Sequence, residues 1–136
     1  IERIKDLKNI KYITIHLEIE ENIQNTLNKI KEYGFKRGIS IKPNTDINKL
    51  IPYLNDIDLI LIMTVEPGQG GQPFLENSPT RIKEIKNLIK DKNILLEVDG
   101  GINDKTIKLL KDVDIAVVGS YITTSDNMIE KVKTLV

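Results

Sequence analysis

The sequence has no cysteine, which excludes disulfides and thiolate metal sites and fits a reducing compartment without proving one. It has no excess of either charge: Lys and Arg total 20, Asp and Glu total 20, and the formal net charge is zero. That balance argues against nucleic acid as a partner, since such proteins carry a basic surplus, but leaves room for a local anion site built from backbone. No apolar run approaches the roughly 18 residues of a membrane span. Nothing reads as a signal peptide, so the expected location is cytoplasmic, with no membrane partner. Histidine occurs once, at His16. No low-complexity stretch or linker interrupts the chain, and residues 1–136 are expected to form one domain.

What is present is a regular alternation. Runs rich in Ile, Leu and Val occur at Tyr12–His16, Arg37–Ile41, Leu59–Val65, Ile94–Asp99 and Ile115–Ser120, as expected of strands buried on both faces. Between them lie helical stretches at Asn22–Tyr33, Ile47–Leu54, Pro79–Lys90, Lys105–Lys111 and Asn127–Leu135. In the first of these Ile23, Leu27 and Ile30 recur at helical spacing, and Gly34 stands where a helix-ending glycine belongs. Ser78-Pro79 and Ser125-Asp126 read as helix starts. Five β-α units in series imply a parallel sheet with right-handed crossovers, either an open doubly wound sheet or part of a (β/α)8 barrel. The chain opens on Ile1 in a segment, Ile1 to Leu7, that reads as the middle of a helix, so the numbering is expected to begin inside a longer protein.

In barrel enzymes the chemistry sits at the C-terminal ends of the strands, and the unusual residues fall there. His16 ends the first run, Pro67-Gly68-Gln69-Gly70-Gly71-Gln72 follows the third, Asp99-Gly100-Gly101 ends the fourth and Gly119-Ser120 the fifth. Glycines let several backbone N–H groups converge on a phosphate because no Cβ intervenes. Taken singly, Gly119-Ser120 and Gly100-Gly101 also fit tight turns. Three glycines in four positions directly after a buried strand favour a ligand-covering loop. Asp99 is the best catalytic candidate, the alternative being an Asp that caps the next helix. His16 fits a substrate contact and a packed core histidine equally. Glu18 reads as a helix-start residue rather than a neighbour of the site, and Lys42 as a solvated lysine rather than an anion sensor.

These motifs resemble the ribulose-phosphate 3-epimerase family. Met63-Thr64-Val65-Glu66-Pro67-Gly68-Gln69-Gly70-Gly71-Gln72 resembles the family's signature loop after its sixth strand, with Gln69 where Phe is usual. Val98-Asp99-Gly100-Gly101-Ile102 resembles the end of the seventh strand, and Val118-Gly119-Ser120 the end of the eighth. Thr14-Ile15-His16-Leu17-Glu18 resembles the fourth strand, and Gly38–Thr45 the fifth. The resemblance implies an α/β (β/α)8 TIM barrel of the ribulose-phosphate-binding type, of which this chain holds the last five units. It implies a cytoplasmic isomerase of the pentose phosphate pathway, a homo-oligomer that interconverts D-ribulose 5-phosphate and D-xylulose 5-phosphate, a phosphorylated ketose. Asp99 would be both a ligand of a divalent metal ion (Zn, Fe, Mn or Co) and one of two acid/base carboxylates. Gly68, Gln69, Gly70 and Gly71 would close over the substrate. Gly100, Gly101, Gly119 and Ser120 would hold it, chiefly at phosphate, and Met63 would form an apolar surface beside the reacting atoms. The resemblance begins just before the fourth strand. The family's first three strands carry a metal-binding His, a His/Asp pair and the partner acid/base Asp, and these have no counterpart here. The 136 residues are therefore expected to be part of a chain of roughly 210–220 residues and to be inactive alone. An allulose-6-phosphate 3-epimerase, another phosphate-binding barrel such as a sugar-phosphate decarboxylase, and a non-catalytic phosphate-binding half-barrel remain open.

Overall fold

A computed structural model describes residues 1, 3–7, 9–19, 22–68 and 71–136. Five strands, β1 (Tyr12–His16), β2 (Lys36–Ile41), β3 (Leu59–Met63), β4 (Leu95–Asp99) and β5 (Ile115–Val117), lie side by side in chain order. Every neighbouring pair is parallel, as β-α-β connections require. Among the described residues no helix is long and apolar enough to cross a membrane.

The two faces of the sheet differ. Ile39, Ile41, Ile60, Ile62, Leu96 and Val98 point to one side and pack with Leu27, Leu50, Ile82 and Ile85 into the core under the helices. The other side carries His16, Ser40, Leu61 and Glu97, which pair in register across four strands, and above them Met63, Asp99 and Val117. A one-residue slip would exchange the two sets, so the apolar face fixes the position of every polar residue on the other.

The helices follow from local chemistry. α1 (Ile23–Glu32) starts at Asn22, whose side chain accepts from the Asn25 N–H, and buries Ile23, Leu27 and Ile30. α2 (Ser78–Leu88) has Pro79 in its first turn, where the missing N–H costs nothing. The stretch expected as a helix over Ile47–Leu54 is a 3₁₀ helix, Ile47–Tyr53, with Pro52 inside it; proline cannot donate to a growing α-helical ladder. The stretch over Lys105–Lys111 also shortens to a 3₁₀ turn, Thr106–Leu109. Two short helices close the chain, α3 (Ser120–Thr123) and α4 (Met128–Lys133). The last begins after Asn127, whose side chain caps Glu130, and not at Ser125-Asp126. β3 and β5 stop at Met63 and Val117, short of the expected Val65 and Ser120. In both cases the chain leaves the sheet where the glycine-bearing rim begins.

Candidate active site

β4 is the axis of the site. Its alternation buries Leu96 and Val98 under the helices and turns Glu97 and Asp99 to the other face. Asp99 lines a cleft of about 290 Å³ with Met63, Gly68, Gly100, Gly119 and Ser120, at the small end of ligand-site sizes. Met63 is the register partner of Asp99, which sets an apolar side chain beside the carboxylate. Burial holds the Asp99 carboxyl above the ordinary aspartate range. Glu97, which was not among the expected site residues, shares that face. Burial, and then the charge of Asp99, push its carboxyl up as well, so two carboxylates that share one face both resist ionisation.

The double glycine after Asp99 answers to the chain itself. Gly100 and Gly101 both have left-handed φ, +123° and +67°. A Cβ on Gly100 would meet the Val65 side chain at 2.5 Å. One on Gly101 would lie 2.7 Å from Phe74 Cα and 3.0 Å from the Gln72 carbonyl oxygen. The glycines thus let the end of the Pro67–Gln72 loop pack directly on the β4 rim. Gly119 differs, with φ −99° and open space where a Cβ would stand. Gly119 also lines the cleft. Ser120, expected at a strand end, is the first residue of α3.

Thr64 joins the two rims. It is fully buried, its N–H donates to the Asp99 carbonyl at 2.8 Å, and its hydroxyl lies 2.6 Å from the Gly100 carbonyl. Its own carbonyl accepts from the Leu75 N–H at 2.9 Å, so one residue ties the far end of the loop to the Asp99-Gly100 turn. Thr64→Val keeps the shape and strands a buried acceptor. It is expected to cost about 1–3 kcal/mol, read as a lower midpoint of denaturant unfolding with an unchanged slope.

Of the four loop residues expected over the substrate, Gly68 and Gly71 line the cleft. Gln69 and Gly70 lie outside the described residues. The loop is drawn in at its base, where the Gln72 side-chain amide donates to the Glu66 carbonyl at 2.5 Å.

His16 and Glu18 form a second group. Glu18 is not at a helix start, since Asn22 caps α1. Its Oε1 accepts from the Lys42 N–H at 2.9 Å and from the Thr45 hydroxyl. Burial acts to raise the Glu18 carboxyl, but these bonds outweigh it and hold it below the ordinary glutamate range. The Glu18 Oε2 lies 3.5 Å from His16 Nδ1. Arg81 of α2 donates to the Lys42 and Thr45 carbonyls and steadies the same loop. The lysine expected to be solvated, Lys42, is exposed.

A sequence model described as the ribulose-phosphate 3 epimerase family matches residues 2–123. The chain belongs to the ribulose-phosphate 3-epimerase family. It is 36% identical over 115 residues to ribulose-phosphate 3-epimerase from Bacillus subtilis (strain 168), covering 81% of this chain and 53% of that protein. With the enzyme of the same name from Buchnera aphidicola subsp. Baizongia pistaciae (strain Bp) it shares 42% identity over 123 residues, covering 88% of this chain and 54% of that protein. The chain thus spans about half the length of these relatives. Among solved structures, 3-hexulose-6-phosphate synthase from Salmonella typhimurium superposes with a TM-score of 0.65 at 19% identity, over 92% of this chain and 59% of that one. At that identity the likeness speaks for fold alone. The five parallel strands belong to a TIM barrel, as in the epimerase family and in this structural neighbour, and the face carrying Asp99 is the barrel interior.

Proposed function

We propose that the protein is a sugar-phosphate 3-epimerase acting on D-ribulose 5-phosphate and D-xylulose 5-phosphate. The observation that carries this reading is the placement of Asp99. A half-buried carboxylate with a raised pKa stands beside an apolar Met63 wall, in one cleft with Gly119 and Ser120. Inverting a carbon next to a ketone requires a proton to leave one face and arrive at the other. Burial raises the Asp99 carboxyl, and a carboxyl with a raised pKa holds a proton more readily and so suits both taking and returning one. The Asp99 carboxylate takes the proton from C3 and, in the reverse direction, gives it back. Backbone N–H groups around Gly119 and Ser120 hold the phosphate, and the Pro67–Gln72 loop covers the reacting atoms and keeps water from the enediolate.

Glu97 cannot serve as the opposite-face partner, because it lies on the same strand and the same face as Asp99. A divalent cation (Zn, Fe, Mn or Co) would take Asp99 as one ligand and stabilise negative charge on the enediolate. Among the described residues no group of three or more His, Asp or Glu can hold a metal ion. The described residues therefore do not make a complete metal site by themselves.

The deciding experiment is proton exchange. Ribulose 5-phosphate incubated with the complete protein in deuterated water is expected to gain deuterium at C3 as xylulose 5-phosphate forms. Exchange at C1, loss of a carbon, or no exchange would each rule out this reaction. The 136 residues alone supply one acid/base carboxylate where the reaction needs two. Expressed by themselves they are expected to give no turnover above the uncatalysed rate in the same assay, and robust epimerisation would refute the division of labour proposed here.

A further inference from the structure

We propose that His16, oriented by Glu18, contacts the end of the sugar remote from the phosphate and thereby selects which ketose phosphate the site accepts. This deepens the epimerase reading and rests on it.

The barrel places the two ends. β1 and β5 are the first and last of five adjacent strands, and in an eight-stranded barrel strands four apart face each other across an interior wide enough for one small ligand. Gly119 and Ser120 follow β5 and His16 ends β1. A sugar anchored by its phosphate near Gly119 and reaching across the interior past Asp99 therefore meets the wall that His16 occupies. The register agrees, because His16 pairs through Ser40 and Leu61 with Glu97, on the face that carries Asp99. A hollow of about 400 Å³ opens at His16, bounded by Glu18, Ile19, Lys42, Pro67 and Gly68. Pro67 and Gly68 also border the Asp99 cleft, so one loop adjoins both spaces.

The side chains are set up for a hydroxyl. The His16 side chain is 44% exposed, yet its Nδ1 is buried and has no hydrogen-bond partner. The open part of the ring therefore lies away from Nδ1. Glu18 Oε2, itself buried and without a hydrogen-bond partner, lies 3.5 Å from Nδ1, so the carboxylate stands against the closed side of the ring. Glu18 is itself fixed by the Lys42 N–H and the Thr45 hydroxyl, so the orientation is imposed by residues that follow the end of β2. Directly across from His16, Ser40 is 2% exposed and its hydroxyl has no partner. A buried polar atom without a partner is uncommon, and here it adjoins the imidazole on the ligand-facing side. The occupant that suits an imidazole beside a hydroxyl, next to apolar Ile19 and Pro67, is a sugar hydroxyl.

The test uses the complete protein and the His16→Ala and Glu18→Gln variants. With ribulose 5-phosphate, His16→Ala is expected to lower kcat/KM about tenfold, the worth of one hydrogen bond, through KM rather than kcat. The preference for a pentulose 5-phosphate over a hexulose 6-phosphate is expected to narrow. Inhibition by inorganic phosphate, which fills only the far end, is expected to stay within about twofold, and Glu18→Gln should reproduce part of the effect. Unchanged KM and preference in a folded variant would overturn the inference, as would phosphate inhibition that weakens in step. A second measurement separates this idea from the epimerase reading. The His16 ring resonances are expected to shift with ribulose 5-phosphate and not with inorganic phosphate. A shift without epimerisation upholds the contact and refutes the enzyme reading. Epimerisation without a shift refutes the contact alone, and neither shift nor epimerisation refutes both.

Discussion

Asp99→Asn is expected to lower turnover by on the order of 10²–10⁴-fold and, in chelator-treated protein at neutral pH, to raise the stability of the fold. Both effects have one cause. Burial lifts the Asp99 carboxyl above its unfolded value, so folding disfavours the charged form. At pH values above the folded pKa the carboxylate is ionised in both states and the full penalty is present. Below the unfolded pKa it is protonated in both and the penalty vanishes. The extra stability of Asp99→Asn should therefore be largest near pH 7 and shrink as the pH falls through the folded value toward the unfolded one. Glu97→Gln should stabilise in the same pH sense, since burial and the neighbouring Asp99 charge raise its carboxyl too, but should leave far more activity because Glu97 sits one row below the cleft. Melting temperatures at pH 7 and pH 4, beside turnover, check this. The chelator matters because a bound cation would invert the local preference for the neutral form. An Asp99→Asn protein that is less stable at pH 7, or that keeps wild-type turnover, would remove Asp99 from its assigned role. Loss of activity with gain of stability is what separates a reacting carboxylate from one that caps a helix, where removal costs stability.

Much of this arrangement was readable without coordinates, for identifiable reasons. Buried parallel strands leave short runs of Ile, Leu and Val that little else produces. All five runs correspond to strands, and β1 (Tyr12–His16) does so to the residue. The rim followed, because a residue that breaks such a run marks a strand end. Asp99 and Ser120 do line one cleft. The misses lie where tertiary contact overrides local pattern. The 3₁₀ geometry over Ile47–Tyr53 turns on Pro52 and on only one buried side chain, Leu50, a contact that helical periodicity does not weigh. Glu18 looked like a helix-start residue because it precedes a helix. Its partners, Lys42 and Thr45, are 24 and 27 residues away, and no local pattern encodes such a contact. Glu97 could have been found, because two-residue alternation in Leu95-Leu96-Glu97-Val98-Asp99 places it on the face of Asp99; the signal was present in the period of the strand. Thr64 carried no signal of its role, which exists only once β3 and β4 are paired.

The glycines give the second large prediction, because two that look alike in the sequence should respond oppositely to the same methyl group. Gly101→Ala is expected to destabilise the fold by about 2–5 kcal/mol, combining the cost of a left-handed backbone for a residue with a Cβ and the cost of overpacking. Its φ is +67°, and the methyl would press on the backbone of Phe74 and Gln72, which has no rotamer with which to move aside. Gly119→Ala is expected to change stability by no more than about 0.5 kcal/mol, since its φ is −99° and nothing stands within 4 Å of the new atom. Gly119 lines the cleft, so a methyl there is expected to crowd a bound anion rather than the protein. Inorganic phosphate should bind on the order of tenfold more weakly to Gly119→Ala, the loss of one charge-assisted backbone contact. Calorimetric titration with phosphate and chemical unfolding, run on both variants, read the two quantities separately. If Gly119→Ala binds phosphate normally, the anion is held elsewhere on the rim. If Gly101→Ala is as stable as the parent, the loop does not pack on the β4 turn, and the close approach that brings Gly68 and Gly71 into one cleft with Asp99 fails with it.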